Sequence, residues 1–344
     1  MTKVTATYQE ISTQTLAWQQ ALAVVTDNAA ELSQLWAGGD YSAVIFTGCG
    51  STYYLSLAAA ALLQELTGQP ARAVPAGELV LYPQVNYPAS GKILLVAVSR
   101  SAETSETIQA VKTFLQAGRG DVITISNYGN RPLAGMGRIN LAIPAGQEKS
   151  MAQTRSFASM YVAATALAAT FAGQTELLTQ MNRLPEAGRR LLATYEPQAE
   201  AIGRNLKLDR FYFLGSGPRY GLACETNLKM KEMTLTHSEP FHFLEFRHGP
   251  ISMAGPTAAV IGLLSEANRA YEAAVLQDVA ALGAQVITLS ETGGDIEFNS
   301  GLPEAVRSVL YLPVLQMMAY YRAEAKGLNP DSPNNLTAVV KLKW

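Results

Sequence analysis

The sequence is poor in cysteine and contains no long apolar run. Its two cysteines, Cys49 and Cys224, are too few for a disulfide framework, which favours a reducing compartment. The longest apolar stretch, at 160–172, is shorter than the roughly 20 residues of a membrane-spanning helix and predicts a buried helix. The segment from Met1 to Gln20 lacks the basic-then-apolar pattern of a signal peptide. These absences predict a cytoplasmic protein with no membrane partner.

The chain also lacks a charge excess of either sign. Its 344 residues carry a formal net charge of -2, so no bulk field attracts nucleic acid or an anionic membrane. Residues 1–34 are too short and too close to neutral for a DNA-binding module, and no nucleic-acid partner is expected. Any bound anion must therefore be held by local geometry. The length suits two domains of ordinary size.

Two stretches of the chain are repeated. An apolar run ending in Gly48-Cys-Gly50 resembles a later one ending in Gly215-Ser-Gly217, and each precedes a helical pattern. Further on, Val122-Ile-Thr-Ile-Ser resembles Val286-Ile-Thr-Leu-Ser. The spacing from Gly48 to Gly215 nearly equals that from Val122 to Val286. Two such similar offsets indicate a duplicated domain.

Continuous apolar runs that alternate with helical patterns predict the fold class. The run at 92–99, for example, has no polar alternation, as expected for a parallel strand that is covered on both faces. We therefore predict an α/β protein with two tandem doubly wound parallel-sheet domains, similar to flavodoxin. The predicted boundaries are an N-terminal helical segment at 1–34, a first domain at 35–175, a helical linker at 176–199 and a second domain at 200–344.

A hydroxyl-rich loop follows the predicted strand at 92–99. Between Ser99 and Thr107 there are five hydroxyls, and helix N-termini of this kind bind anions through free backbone N–H groups. Ser99, Ser101 and Thr104 are candidate phosphate ligands, and Arg100 adds a possible bidentate contact. The alternative is a simple helix cap, with Glu103 in a capping box. A cap needs one hydroxyl, which favours phosphate binding.

A second tight turn, Gly50-Ser51-Thr52, is predicted at the same sheet edge, because ligands of such sheets bind at the carboxyl ends of the strands. Neither Gly-x-Gly turn completes a dinucleotide-binding motif, since Tyr53 and Tyr220 replace the third glycine. An oxidoreductase is therefore excluded.

Charged residues recur on one face of the helix after the second Gly-x-Gly turn. Glu225, Lys229 and Glu232 are spaced i, i+4 and i+7. Such a pattern commonly marks an exposed salt-bridge stripe. This helix should instead pack on the sheet, and buried charges need partners or a function.

The three histidines lie within twelve consecutive residues, which leaves alternatives open. His237, His242 and His248 could bind a metal together with Glu239, although their spacing matches no standard motif. Alternatively, His248 acts as a general acid/base on its Gly-Pro turn and the other two are structural.

These motifs together resemble the sugar-isomerase (SIS) domain family, in particular the isomerase half of glutamine–fructose-6-phosphate aminotransferases. The Lys-x-Lys-Glu helix followed by a His-Gly-Pro turn is the strongest local match, and the resemblance covers about the whole chain. The serine-rich loop matches the family's phosphate loop, with Ala102 in place of Gly and Arg100 in place of Gln. The stretch 148–157, which contains Gln153, resembles a further active-site segment.

The resemblance implies specific roles. The serine-rich loop holds the substrate phosphate, Glu232 moves a proton between C1 and C2, and Lys229 contacts the sugar. His248 assists ring opening and reaches in from the neighbouring subunit of a homodimer. Glu225 and Gln153 complete the implied substrate-binding set. No metal or organic cofactor is required for this chemistry.

The sequence departs from the aminotransferase pattern in two places. Residue 2 is Thr2, so no N-terminal cysteine nucleophile is found and no glutaminase activity is expected. Ala338 occupies the position of an imine-forming lysine, and Lys341 and Lys343 follow out of register. Both departures favour stand-alone, AgaS-like isomerase/deaminases that act on an amino-sugar 6-phosphate. The alternatives are a fructosamine-6-phosphate-type deglycase and a non-catalytic sugar-phosphate sensor.

Overall fold

The computed structural model describes residues 5–337, 339, 340 and 342, and its first sheet contains five parallel strands. The sheet order is β2-β1-β3-β4-β5. The strands are β1 (Tyr41–Gly48), β2 (Ala71–Pro75), β3 (Lys92–Ser99), β4 (Gly120–Ser126) and β5 (Ile139–Ala142). In β3, every residue after Lys92 is buried, which explains the continuous apolar run.

The second sheet repeats this topology. Its order, β7-β6-β8-β9-β10, again places the first strand of the copy between the second and the third, and all pairs are parallel. The strands are β6 (Arg210–Leu214), β7 (His237–Phe241), β8 (Ala258–Leu263), β9 (Gln285–Ser290) and β10 (Ile296–Glu297). The prediction of two doubly wound, flavodoxin-like parallel sheets is confirmed.

Contacts divide the chain into two compact units, each built around one sheet. The first-sheet unit comprises 14–148, 155–182 and the described residues from 337 on. Its helices are α2 (Thr15–Asp27), α3 (Ala29–Ala37), α4 (Ser51–Thr67), α5 (Ala76–Leu81), α6 (Pro83–Asn86), α7 (Ser105–Gln116), α8 (Arg155–Phe171) and α9 (Thr175–Met181).

The second-sheet unit comprises 5–13, 149–154 and 183–336. Its helices are α1 (Ala6–Ser12), α10 (Leu184–Arg204), α11 (Pro218–Thr234), α12 (Phe243–Phe246), α13 (Arg269–Ala281), α14 (Glu304–Arg307) and α15 (Leu312–Ala325).

The two units do not follow chain order, so they differ from the predicted boundaries. Helix α1 belongs to the second-sheet unit because the carboxylate of Asp331 accepts hydrogen bonds from the backbone N–H groups of Ala6 (3.0 Å) and Thr7 (2.8 Å). The predicted linker is split between α9 and α10, and α10 packs against α15. Pro197 lies inside α10 and does not end it.

The apolar stretch at 160–172 forms most of α8, in which every residue after Arg155 is buried, as predicted. Among the described residues, we find no helix long and apolar enough to cross a membrane.

Candidate functional site

The hydroxyl-rich loop connects β3 to α7 at the carboxyl edge of the first sheet. Ser99 Oγ lies 3.2 Å from Thr104 Oγ1, and Ser101 Oγ accepts a hydrogen bond from the Glu103 N–H at 3.1 Å. Thr104 is the N-cap residue of α7, yet its side chain makes no capping hydrogen bond within the described chain. Capping of α7 therefore does not account for the hydroxyls, and the start of the helix retains the donors that an anion needs.

Arg100 is tied to the start of α8 by a buried carboxylate. Its Nη1 lies 3.4 Å from Oε1 of Glu148, whose side chain is fully buried. Glu148 also accepts hydrogen bonds from the backbone N–H of Ser156 (3.2 Å) and from the Ser156 hydroxyl. No local sequence pattern connects positions 100 and 148, so this anchor is not predictable from the sequence.

The Gly50 turn is shaped by backbone constraints. Gly50 has φ +56°, a conformation that favours glycine, and a Cβ on Gly48 would lie 2.5 Å from Thr52 Oγ1. Thr52 Oγ1 accepts the Cys49 N–H at 2.9 Å, so this hydroxyl stabilises the turn itself. Ser51 is buried at the start of α4.

The turn and the hydroxyl-rich loop lie at the same point of the sheet. Strands β1 and β3 are hydrogen-bonded neighbours, and the strand order reverses between them. Cys49 Sγ lies 3.6 Å from Thr107 Oγ1, which connects the turn to α7. Ligands of open α/β sheets bind in the crevice at such a switch point.

In the second-sheet unit, α11 carries a buried ionic cluster. Lys229 and Glu225 are completely buried, and Glu232 is 20% exposed. Lys229 Nζ lies 2.5 Å from Glu232 Oε2 and 3.3 Å from Glu225 Oε1. The exposed salt-bridge stripe is therefore excluded, and Lys229 contacts both of the carboxylates predicted to share its face.

The two carboxylates decide the protonation of this lysine. Burial acts to lower the pKa of Lys229, but the negative charges of Glu225 and Glu232 outweigh it and raise the pKa above its ordinary value. Lys229 therefore remains an ammonium ion at neutral pH.

The histidines are spread along β7 and the turn beyond it. His237 begins β7 and His242 follows its last residue, so about 16 Å of extended strand separates them at ~3.3 Å per residue. Among the described residues no group of three His, Cys, Asp or Glu side chains is placed to hold a metal ion, which argues against the metal hypothesis. The ring of His242 stacks on Tyr220 at 3.8 Å, and burial lowers the pKa of His242.

His248 lies on an exposed turn after α12. Its backbone N–H donates to the Glu245 carbonyl at 3.0 Å, and Gly249 has φ +119°. The imidazole is therefore presented on the surface of the chain by a glycine-dependent turn.

Gln153 belongs to the second-sheet unit, in the segment 149–154. Its Oε1 atom is buried and accepts no hydrogen bond from any described residue. A buried acceptor of this kind commonly awaits a ligand or water. The predictions on Ala338, Lys341 and Lys343 concern positions outside the described residues.

Two parallel sheets of identical strand order, one with a hydroxyl-rich loop at its switch point, define the class of tandem α/β ligand-binding proteins. The SIS domain model matches residues 41–170 and 206–299, and the chain therefore belongs to the SIS domain family.

Curated relatives are glutamine–fructose-6-phosphate aminotransferases. The enzyme of Methanothermobacter thermautotrophicus is 25% identical over 340 residues, which cover 95% of this chain and 54% of the relative. That of Gloeobacter violaceus is 28% identical and covers 88% of this chain and 52% of the relative. The chain thus spans about half the length of the curated relatives it matches.

Solved structures extend the comparison. The glucosamine-6-phosphate deaminase of Thermotoga maritima has a TM-score of 0.76 at 26% identity, covering 94% of this chain and all of the other. The tagatose-6-phosphate ketose/aldose isomerase of Escherichia coli has a TM-score of 0.86 and covers 96% of each chain. At 23% identity, the latter likeness concerns the fold alone.

Proposed function

We propose that the chain is a cytoplasmic phosphosugar isomerase/deaminase that converts an amino-sugar 6-phosphate to a ketose 6-phosphate and ammonia. The observation that carries the proposal is the buried cluster on α11. A binding module has no need of a partly exposed carboxylate held against a completely buried ammonium ion, whereas a proton-transfer enzyme does. The likeness to glucosamine-6-phosphate deaminase supports the substrate class.

Glu232 is the proton-transfer base of this proposal. After ring opening, its carboxylate removes the proton at C2 of the aldose and leaves an enol whose C2 bears the amine. Return of a proton to C1 gives the ketose imine, and water then hydrolyses the imine to ketose and ammonia. One base that takes and returns a proton suffices for the isomerisation. Glu232 suits the role because it is 20% exposed while its neighbours Lys229 and Glu225 are fully buried.

Lys229 fixes the base in place. Its ammonium group lies 2.5 Å from Glu232 Oε2 and holds the carboxylate in position through a charge-assisted hydrogen bond. Glu225 supplies the second counter-charge to Lys229. We also propose that Lys229 and Glu225 contact the sugar.

The hydroxyl-rich loop is the proposed phosphate site. Ser99, Ser101 and Thr104 add hydroxyl donors to the start of α7, and no cap on Thr104 competes with an anion there. Hydrogen bonds to a charged group contribute roughly 1.5–3 kcal/mol each. A few of them hold a monophosphate without a basic surface. The contact with Glu148 positions the guanidinium group of Arg100 for its proposed contact with the phosphate. The Gly50-Ser51-Thr52 turn is proposed to line the same phosphate site.

A homodimer is part of the proposal. The His248 side chain lies on an exposed turn, which supports a role in the active site of a neighbouring subunit, where it would protonate the ring oxygen. Gln153, with its buried acceptor oxygen, is proposed to contact the sugar.

The deciding experiment measures ammonia and ketose 6-phosphate together, with glucosamine 6-phosphate and galactosamine 6-phosphate as separate substrates. Equal molar release of both products from one epimer is the expected result, and the epimer identifies the substrate. A Glu232→Gln preparation serves as the blank. Aldose 6-phosphate and free amine formed from a fructosamine 6-phosphate conjugate, without ammonia from either amino sugar, would replace the deaminase by a deglycase.

A further inference from the structure

The second sheet repeats the first strand for strand, so their carboxyl edges can be compared position by position. The matching pairs of neighbouring-strand residues are Thr47–Ala97 in the first sheet and Leu214–Gly262 in the second. Counted from these pairs, Glu266 after β8 takes the position of Ser101 after β3. Arg219 at the start of α11 takes the position of Thr52. The second edge thus has the topology of a ligand site but different side chains.

A carboxylate of the chain itself lies at this edge. Glu304 Oε1 is 2.7 Å from Arg219 Nη1 and accepts the backbone N–H of Glu266 at 3.1 Å. A guanidinium and a loop N–H are the donors that phosphate sites commonly combine. In this sheet both donors contact one oxygen of Glu304.

Arg219 retains a further donor. Its side chain is 9% exposed, and its Nε is buried and makes no hydrogen bond to any described residue. Glu304 therefore satisfies only part of the guanidinium group, whereas an anion with three or four oxygens has an acceptor for each N–H. The Arg219 Nε–H is thus a donor that Glu304 does not use.

Two further carboxylates at this end of the sheet, those of Glu266 and Glu291, contact Arg307. Glu266 pairs with Arg307, whose side chain is 3% exposed, at 2.8 Å, and Glu291 lies 3.5 Å from the same arginine. Where the first sheet has the neutral hydroxyl of Ser101, the second has the carboxylate of Glu266. A phosphate would have to displace Glu304 and approach Glu266 at the same time, and both steps are opposed by like charge.

We infer that the carboxyl edge of the second sheet is an anion-binding site occupied by the carboxylate of Glu304, so that each chain takes up phosphate at the first sheet only. The inference rests on the second-sheet unit alone. It goes beyond the proposed function, which concerns the hydroxyl-rich loop and the cluster on α11.

Equilibrium dialysis with radiolabelled inorganic phosphate counts the sites. We expect one phosphate per wild-type chain and two per Glu304→Ala chain, with the count back at one in the Arg219→Ala/Glu304→Ala double variant. Glu324→Ala is the matched control, because Glu324 also pairs with an arginine, Arg204 at 2.9 Å, but on a different surface. This control should bind one.

Two phosphates per wild-type chain, or no gain in folded Glu304→Ala, would overturn the inference. If Glu304→Ala does not fold, Glu304→Ser carries the same test, since its side chain is too short to reach the Arg219 guanidinium; an unchanged count again overturns it. A wild-type count of zero with one site in Glu304→Ala would remove the phosphate loop of the proposed function, while the occupation of the second edge by Glu304 would stand.

Discussion

Lys229 Nζ lies 2.5 Å from Oε2 of Glu232, on a helix where the lysine itself is completely buried. A buried cation of this kind persists only with close counter-charges, and Glu225 at 3.3 Å supplies the second. The arrangement connects stability to chemistry. The ammonium group of Lys229 neutralises the buried carboxylate of Glu225. It also holds the partly exposed carboxylate of Glu232, which we propose as the base.

Replacing Lys229 by Met should destabilise the fold strongly. The methionine fills a similar volume but leaves two carboxylates without their cation, and breaking a buried pair in this way costs about 3–5 kcal/mol. Urea unfolding followed by circular dichroism measures the loss. Lys231→Met, at an exposed position of the same helix, should change the free energy of unfolding by less than about 0.5 kcal/mol. Equal losses of unfolding free energy in the two variants would mean that the buried ion pairs of Lys229 do not stabilise the fold.

The pH dependence of stability gives a second view of this lysine. The folded-state pKa of Lys229 is raised, so its stabilising contribution is fully present below the unfolded pKa of about 10.4 and is lost as the pH rises through the folded value. Wild-type stability should therefore decline above about pH 10.4 more steeply than that of Lys229→Met. Parallel curves for the two proteins would contradict the raised pKa.

Glu232→Gln should abolish turnover and leave phosphosugar binding intact. The amide keeps the shape of the side chain but accepts no proton, and loss of a general base typically lowers kcat by about 10²–10⁴-fold. Activity and calorimetric binding of the ketose 6-phosphate together test this. Glu200→Gln is the control, since Glu200 forms an exposed pair with Arg204. Normal turnover of Glu232→Gln would assign the proton transfer to another group.

Much of the fold was predictable because its signals are local. The nearly equal spacing of the two repeated stretches predicted two equivalent sheets, and Gly50 and Gly217 indeed share a nearly identical backbone, with φ +56° and +57°. Burial of Lys229 followed from the position of its helix after a β-strand. Repeats and helix periodicity are patterns within short stretches of sequence, so they can be recognised without the structure.

The division into units was not predictable, because it depends on contacts between distant residues. Asp331 holds the start of α1 from the far end of the chain, and Arg100 contacts Glu148 across two intervening strands. A proline commonly marks a helix boundary, but α10 continues through Pro197. Packing of α10 against α15 outweighs the local cost of this proline. Contacts between residues far apart in the chain produce no periodic pattern in the sequence, so the sequence alone does not predict them.

Ser101→Ala should weaken substrate binding more than catalysis. Loss of one hydrogen bond to a charged group, roughly 1.5–3 kcal/mol, corresponds to an increase in KM of about 10–150-fold with kcat nearly unchanged. Steady-state kinetics separates the two constants. Ser105→Ala, at the first residue of α7, is the control, because the Ser105 hydroxyl accepts the Leu342 N–H at 2.9 Å. A KM unaffected by Ser101→Ala would place the phosphate elsewhere.

The cysteine in the Gly48–Gly50 turn should be unreactive despite its position at the candidate site. Burial raises the pKa of the Cys49 thiol to about 11, and burial likewise raises that of Cys224 to about 12. Because only the thiolate reacts, alkylation by iodoacetamide at pH 7.5 should be at least about a hundredfold slower than for an unperturbed thiol.

Mass spectrometry of the native protein, compared with the urea-unfolded protein, measures the alkylation rate at each cysteine. Cys49→Ser should keep the activity of the wild type, since the turn depends on the Cys49 N–H, which Thr52 Oγ1 accepts at 2.9 Å, and not on the sulfur. Rapid alkylation of native Cys49 that also stopped turnover would show that the turn opens to solvent. The thiol would then belong among the groups that contact the substrate.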